Sequence, residues 1–387
     1  MTARLAKRSE AFPTFNSVSL FKERLALAAA GRHIINMGIG EPDFTAPQAV
    51  TEALRRATEA GLSSYTAPAG ITPLREAIAR YYDDHFGTKL DPSRVIVTAG
   101  ASGALILACA ALIDTGSEVL LPAPSYSGNS SFIVASGGRA TFIPTTAENR
   151  FQMSADDVRQ HWKADTRGVL ISSPSNPTGT SIEYEKLRDL LAEVRSRDGF
   201  TIMDEIYLGL SYDAPARSAL TLDDDVIVIN SFSKFFHMTG WRLGWMIVPQ
   251  EMVSRIEPIA SCLAICAPTL AQHAALACFE PQTMAIYEER RDAFHKRRDF
   301  LVPALEELGF SIPARPDGAF YVYADIGNLA PDSATFAYRL LREAGVSTLP
   351  GTDFGDGERG QRMLRLSYCT GIDELQEAVR RMGNLLG

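Results

Sequence analysis

Residues 226–248 read VIVINSFSKFFHMTGWRLGWMIV. Two apolar runs, Val226–Asn230 and Leu243–Val248, bracket a polar loop that carries Lys234 and Arg242. Short runs that are apolar throughout read as strands covered on both faces, as in the sheet of an α/β protein. A lysine at the end of such a strand is costly unless it is neutral or paired. As a neutral amine it can condense with an aldehyde. Ser231 and the planar fork of Arg242 suit a phosphate. A snorkelling lysine and a surface arginine explain the same letters when they are taken alone.

The pattern repeats upstream. Strands are expected at Arg94–Thr98, Glu118–Leu121, Ala140–Ile143, Gly168–Ser172 and Phe200–Met203, with helices such as Ala101–Leu112 and Tyr184–Ser196 between them. With the two strands above, this predicts an α/β domain built on a mostly parallel seven-stranded sheet. In such sheets ligands bind just beyond the carboxyl ends of the strands. Five of these ends are polar or glycine-rich: TAGASG (98–103), PAPSYSGN (122–129), SSPSNPTGT (172–180), DEIY (204–207) and the loop 230–242. TAGASG runs from strand into helix, where small residues and free N–H groups can approach an anion. Asp204, at the end of an apolar strand, needs a cationic partner, which a pyridinium nitrogen would supply. Each feature also has a plain structural reading: a tight turn at Ser102, a capping Asp204, a turn-forming Asn176, a core Tyr126.

Beyond Val248 the pattern becomes α+β. A long helix is expected over Thr283–Leu308, strands at Ala319–Asp325 and Met363–Ser367, and helices at Ser333–Ala344 and Asp373–Leu386. The helix expected at Ser17–Ala30 joins this smaller domain. The expected division is a large domain over residues 48–285 and a small one from 1–47 with 286–387.

Composition narrows the function. The 387 residues carry a formal net charge of -8, which gives no electrostatic reason to bind nucleic acid or an anionic membrane. Five scattered cysteines form no C-x-x-C pair, so free thiols in a reducing compartment are expected, and a zinc site is not. The first residues lack the apolar core of a secretory signal, and no run is long enough to span a bilayer, so a cytoplasmic protein is expected. Gly355–Gly360 fits G-x-G-x-x-G but precedes a strand instead of linking strand to helix, so a dinucleotide site is not expected.

Together these segments resemble the fold-type-I, class I aminotransferases of the aspartate aminotransferase superfamily. The resemblance spans nearly the whole chain: GIGEPDFTAP (38–47), SYTAPAGITPLREAIARYY (64–82), the five loops, PDGAFYVYADI (316–326) and RMLRLSYC (362–369). It implies pyridoxal 5'-phosphate as cofactor, held by Lys234 through a Schiff base, with Lys234 also moving the proton. Asp204 would pair with the pyridine nitrogen. Tyr207 and Asn176 would bond the ring 3′-oxygen, and Tyr126 would stack on the ring. Backbone at Ala101 and Ser102, with Ser231 and Arg242, would hold the phosphate. Tyr65 would reach the phosphate of a neighbouring subunit, which implies a homodimer with shared active sites. Arg365, with Asn176 and Gly40, would bind the substrate carboxylate. Phe235-Phe236-His237 and the absence of a lysine from TAGASG depart from the usual pattern and bear on substrate choice.

The function so implied is ping-pong transamination between an L-amino acid of aspartate, alanine or aromatic type and a 2-oxo acid such as 2-oxoglutarate or pyruvate. A β-lyase of the same fold is the alternative, since bond choice depends on substrate orientation. A non-catalytic cofactor-binding regulator fits less well, because the resemblance begins near the N-terminus and leaves no DNA-binding module.

Overall fold

The computed structural model describes residues 4–12 and 15–387. Its main sheet has seven strands: β1 (Val95–Thr98), β2 (Glu118–Ala123), β3 (Arg139–Pro144), β4 (Thr166–Ser172), β5 (Phe200–Asp204), β6 (Ile227–Ser231) and β7 (Gly244–Ile247). Their order is β1-β7-β6-β5-β4-β2-β3, and only β7 runs antiparallel to its neighbours. The expected seven-stranded, mostly parallel α/β sheet is therefore present. Strands β2, β5 and β6 are buried almost end to end because helices cover both faces, which is why their sequences do not alternate. Ile202, Ile227 and Ile229 are wholly buried, each adding about 1.5–3 kcal/mol of hydrophobic stabilisation. Edge strand β3 is half-exposed and has the least apolar sequence. At the other edge, the Val97 N–H is covered by the Ala69 carbonyl at 3.0 Å, so β1 stays buried.

Helix α1 (Asn16–Ala29), helix α2 (Gly100–Leu112) and helix α3 (Pro281–Glu307) lie where the sequence places them, within about two residues. Proline at the first turn of α3 is pre-set for helix, so this helix starts two residues before Thr283. In Tyr184–Arg195, Leu187, Leu190, Leu191 and Val194 form the buried stripe expected of an amphipathic helix.

A second, antiparallel sheet orders β9 (Leu349–Pro350), β10 (Met363–Ser367) and β8 (Tyr321–Asp325) as β9-β10-β8. Strand β8 starts later than expected because Ala319 is left-handed (φ 55°) and its N–H bonds the Leu210 carbonyl at 3.0 Å. The helix expected to run through to Ala344 is α-helical only over Ser333–Arg339, then widens into a π-turn that ends at left-handed Gly345. A two-residue parallel pair, Ile35–Asn36 with Val346–Ser347, ties the N-terminal segment to this region. Helices Gln48–Glu59, Thr72–Phe86, Gly128–Ala135, Ala155–His161, Gln250–Ala264 and Thr269–Ala275 lie outside the expected set. Among the described residues, no helix is long and apolar enough to cross a membrane.

Candidate active site

The carboxyl ends of the central strands open into a cavity of about 640 Å³. Loops after β1, β2, β4, β5 and β6 all reach it, as does the 38–40 segment and strand β10. Of the residues singled out from sequence, Gly40, Ala101, Ser102, Tyr126, Asn176, Asp204, Tyr207, Lys234, Arg242 and Arg365 line this one cavity.

Register explains the assembly. Asp204 ends β5 beside Ser172 at the end of β4, so its side chain emerges at the mouth of the sheet. It is buried, and burial pushes its carboxyl up to about 6, against the opposing pull of the Ile206 N–H and the charge of Lys234. Lys234 follows β6 by three residues, and its Nζ donates to the Gly40 carbonyl at 2.6 Å. Removal from water lowers its ammonium to about 8. Its Nζ also lies 5.9 Å from the Tyr207 ring and 5.8 Å from the Phe320 ring.

Arg242 sits in a left-handed conformation (φ 53°), donates to the Thr239 carbonyl at 3.0 Å, and faces the start of α2. There Gly100 has φ 74°, and a Cβ on it would stand 2.7 Å from the Arg242 guanidinium. Gly244 lets this turn pack down on the sheet: a Cβ there would meet Gly100 C at 2.7 Å and Ala101 N at 2.8 Å. The result is a small concavity lined by backbone and a guanidinium, a shape that suits a phosphate.

Arg365 projects from β10, buried, with Nη1 donating to Asn176 Oδ1 at 2.8 Å and Nη2 to the Gly38 carbonyl. Its guanidinium lies 4.4 Å over the Tyr321 ring, and its Nε is buried without an acceptor. Tyr207 and Tyr321 share a hydrogen bond of 2.8 Å, and burial pushes the Tyr207 phenol well above its usual range.

Two of the expected residues are not on this cavity's wall. The Ser231 hydroxyl donates to the Leu243 carbonyl at 3.0 Å across the β6–β7 pair, and Ser233 is the serine on the wall. Tyr65 lies away from the cavity with 79% of its surface exposed. Sequence reasoning missed Tyr321, which orients Tyr207 and underlies Arg365. Its sequence signal is Gly40, where a Cβ would stand 1.8 Å from the Tyr321 hydroxyl. It also missed Arg24, which reaches the cavity from α1.

Residues 32–382 match the family model for aminotransferase class I and II. The chain is 35% identical to a valine–pyruvate aminotransferase of Mycobacterium tuberculosis, over 100% of this chain and 99% of that one. It is 34% identical to an aspartate/prephenate aminotransferase of Thermus thermophilus, over 99% of each. A solved aminotransferase structure from Mycobacterium tuberculosis superposes with a TM-score of 0.94 at 33% identity, covering 100% of this chain and 99% of that chain. A family model over most of the length, full-length relatives and a shared fold converge on one statement: the chain belongs to the class I and II aminotransferase family.

Proposed function

We propose that this enzyme catalyses pyridoxal-phosphate-dependent transamination, in which an L-amino acid and a 2-oxo acid take turns in the cavity. One observation carries the reading: Lys234, Asp204, Ala101 and Ser102 with Arg242, and Arg365 with Asn176 line the same cavity. These groups match an aldehyde, a protonated ring nitrogen, a phosphate and a carboxylate in turn. The fit rests on the concavity that a Gly100 Cβ would fill and on the unused donor of Arg365.

When bound, pyridoxal phosphate supplies a conjugated ring that draws electron density from the amino acid's Cα. The chain's residues do the rest. Lys234, lowered to about 8, is close enough to neutral at physiological pH to take a proton at Nζ and return it. Asp204 is held near 6 only while alone; a cation beside it favours the charged carboxylate. Tyr207, fixed by Tyr321, offers a hydrogen bond to the ring, and Tyr126 offers a face for stacking. Arg365 presents the planar fork that fits a carboxylate in two parallel bonds. The reading takes donors of aspartate, alanine or aromatic type, with 2-oxoglutarate or pyruvate as acceptor; of these, aspartate, aromatic amino acids and pyruvate occur in the names of relatives. The same reading assigns residues 48–285 to cofactor binding and residues 1–47 with 286–387 to a small domain over the substrate.

Replacing Lys234 tests the proposal. Lys234→Ala should lose the visible absorbance of the cofactor-loaded protein and lower turnover by about 10⁴-fold or more, the scale seen when a nucleophile or base is removed. Turnover close to wild type in that variant contradicts the role. If the wild-type enzyme releases ammonia and a 2-oxo acid from cysteine-like substrates without any acceptor, elimination replaces transamination as its reaction.

A further inference from the structure

Residues 37–47 form neither helix nor strand, yet two of their carbonyls accept from the cavity's key cations. Gly40 O accepts from Lys234 Nζ at 2.6 Å, and Gly38 O accepts from Arg365. A segment outside helix and strand must take its position from neighbouring groups. Here those groups lie on the far side from the cavity.

Arg297, on α3, is nine-tenths buried, and transamination gives it no direct task. It grips Asp43 with both terminal nitrogens, Nη1 to Oδ1 at 2.8 Å and Nη2 to Oδ2 at 2.9 Å. Nη1 also donates to the Cys369 carbonyl at 3.0 Å, which accepts from the Asp43 N–H at 3.2 Å. Cys369 lies just past β10, the strand that carries Arg365. One guanidinium therefore ties the segment to that strand. Burying it is costly, and the fork offsets the cost only while its partners stay in place.

The next residue ties the segment to the lysine loop. The guanidinium groups of Arg290 and Arg297 each lie 5.0 Å from the Phe44 ring, which packs 5.4 Å from the His237 ring. Phe235, Phe236 and His237 are all buried off the cavity wall. Both ring nitrogens of His237 are buried without a partner, so its flat shape is what the packing uses. Thr239 donates to Glu41 Oε1 at 2.5 Å. The two segments are thus joined at three points: Lys234 to Gly40, His237 to Phe44, and Thr239 to Glu41.

We infer that Asp43, Phe44, His237 and Arg297 are positioning residues, which hold the Gly40 carbonyl where it aims the Lys234 amine at an incoming aldehyde. This rests on Lys234 being the residue that captures the cofactor, as proposed above. The bond to Gly40 uses one N–H of the neutral amine and leaves its lone pair free. Capture then joins nitrogen to the aldehyde carbon by a double bond and releases the aldehyde oxygen as water with the two amine protons. A misplacement of about 1 Å is enough to slow such a step by about 100-fold.

The test follows, by absorbance, the rate at which the full-length protein freed of cofactor captures pyridoxal phosphate. Pyridoxine phosphate, with an alcohol in place of the aldehyde, is the control, because its binding needs the phosphate turn and not the lysine. Asp43→Asn weakens the pair, and Arg297→Lys keeps the charge but loses the fork. Each should slow capture by about tenfold or more. His237→Ala should do the same, whereas His237→Phe restores a flat ring and should return the rate to within about twofold of wild type. Affinity for pyridoxine phosphate should stay within about twofold throughout. Should Arg297→Lys fail to fold, the two His237 variants decide. An equal loss of pyridoxine phosphate affinity marks a merely structural role and overturns the inference. Capture at Lys234 with one rate in every variant overturns it alone, while a wild-type protein that captures no aldehyde at Lys234 overturns the proposed transamination with it.

Discussion

Asp204 and Lys234 face one cavity with opposite displacements of their proton affinities, one up to about 6 and the other down to about 8. Both are consequences of desolvation, and both mean that burying these two groups costs stability. For Asp204 the folded-state value lies above the ordinary 3.8, so its contribution to stability is fully present at low pH and is lost as pH rises through 6. Without cofactor, Asp204→Asn should therefore stabilise the protein by about 1–3 kcal/mol at pH 7.5, and by roughly half as much at pH 5. Denaturant unfolding of the unloaded protein at the two pH values measures this; a variant less stable than wild type at pH 7.5 refutes it. The sequence makes Asp204 conspicuous but does not separate it from Glu205. Adjacent strand-end residues point to opposite faces: Asp204 enters the cavity, while Glu205 is buried among structural donors, the Ser218 hydroxyl and the Ala219 N–H. Such a one-residue distinction depends on register, which composition does not carry.

Helices and strands with a simple period were legible because burial wrote the pattern: the sheet strands are apolar throughout, and Tyr184–Arg195 has a clean stripe. Gly128–Ala135 and Thr269–Ala275 were not, since small and polar residues there leave no strong period. The two-residue strands near Asn36 and Ser347 exist only through their partners. What makes the phosphate-shaped turn is likewise a contact between distant elements, the first turn of α2 resting on Gly244 of β7. A methyl group at Gly244 would press on backbone atoms of Gly100 and Ala101, neither of which can rotate away. Gly244→Ala should therefore push the turn off the sheet and weaken cofactor binding by about tenfold or more, while costing about 1–3 kcal/mol of stability. Titration with pyridoxal phosphate, followed by absorbance, checks the first expectation and thermal unfolding the second. Unchanged affinity would mean that the turn does not hold the phosphate.

Several large apolar side chains are left on the surface: Leu62 at 44% exposure, Tyr65 at 79%, Leu263 at 58% and Ile265 at 49%. Scattered apolar residues need no partner, but Tyr65 stands beside the conspicuous TAPAG run and touches nothing in its own cavity. We propose that a second copy covers this surface and that Tyr65 serves the neighbouring site. Subunit mixing separates this from a role within one chain. Lys234→Ala and Tyr65→Ala are each made and shown to be inactive or strongly impaired, then unfolded together and refolded as a mixture. If Tyr65 acts across the interface, each hybrid dimer has one site with both defects and one site with neither. Half of a random mixture is hybrid, so about one quarter of wild-type activity should return. If Tyr65 acts within its own chain, every hybrid site carries one defect and no activity returns. Recovery therefore depends on the symmetry of the assembly and not on the strength of either mutation.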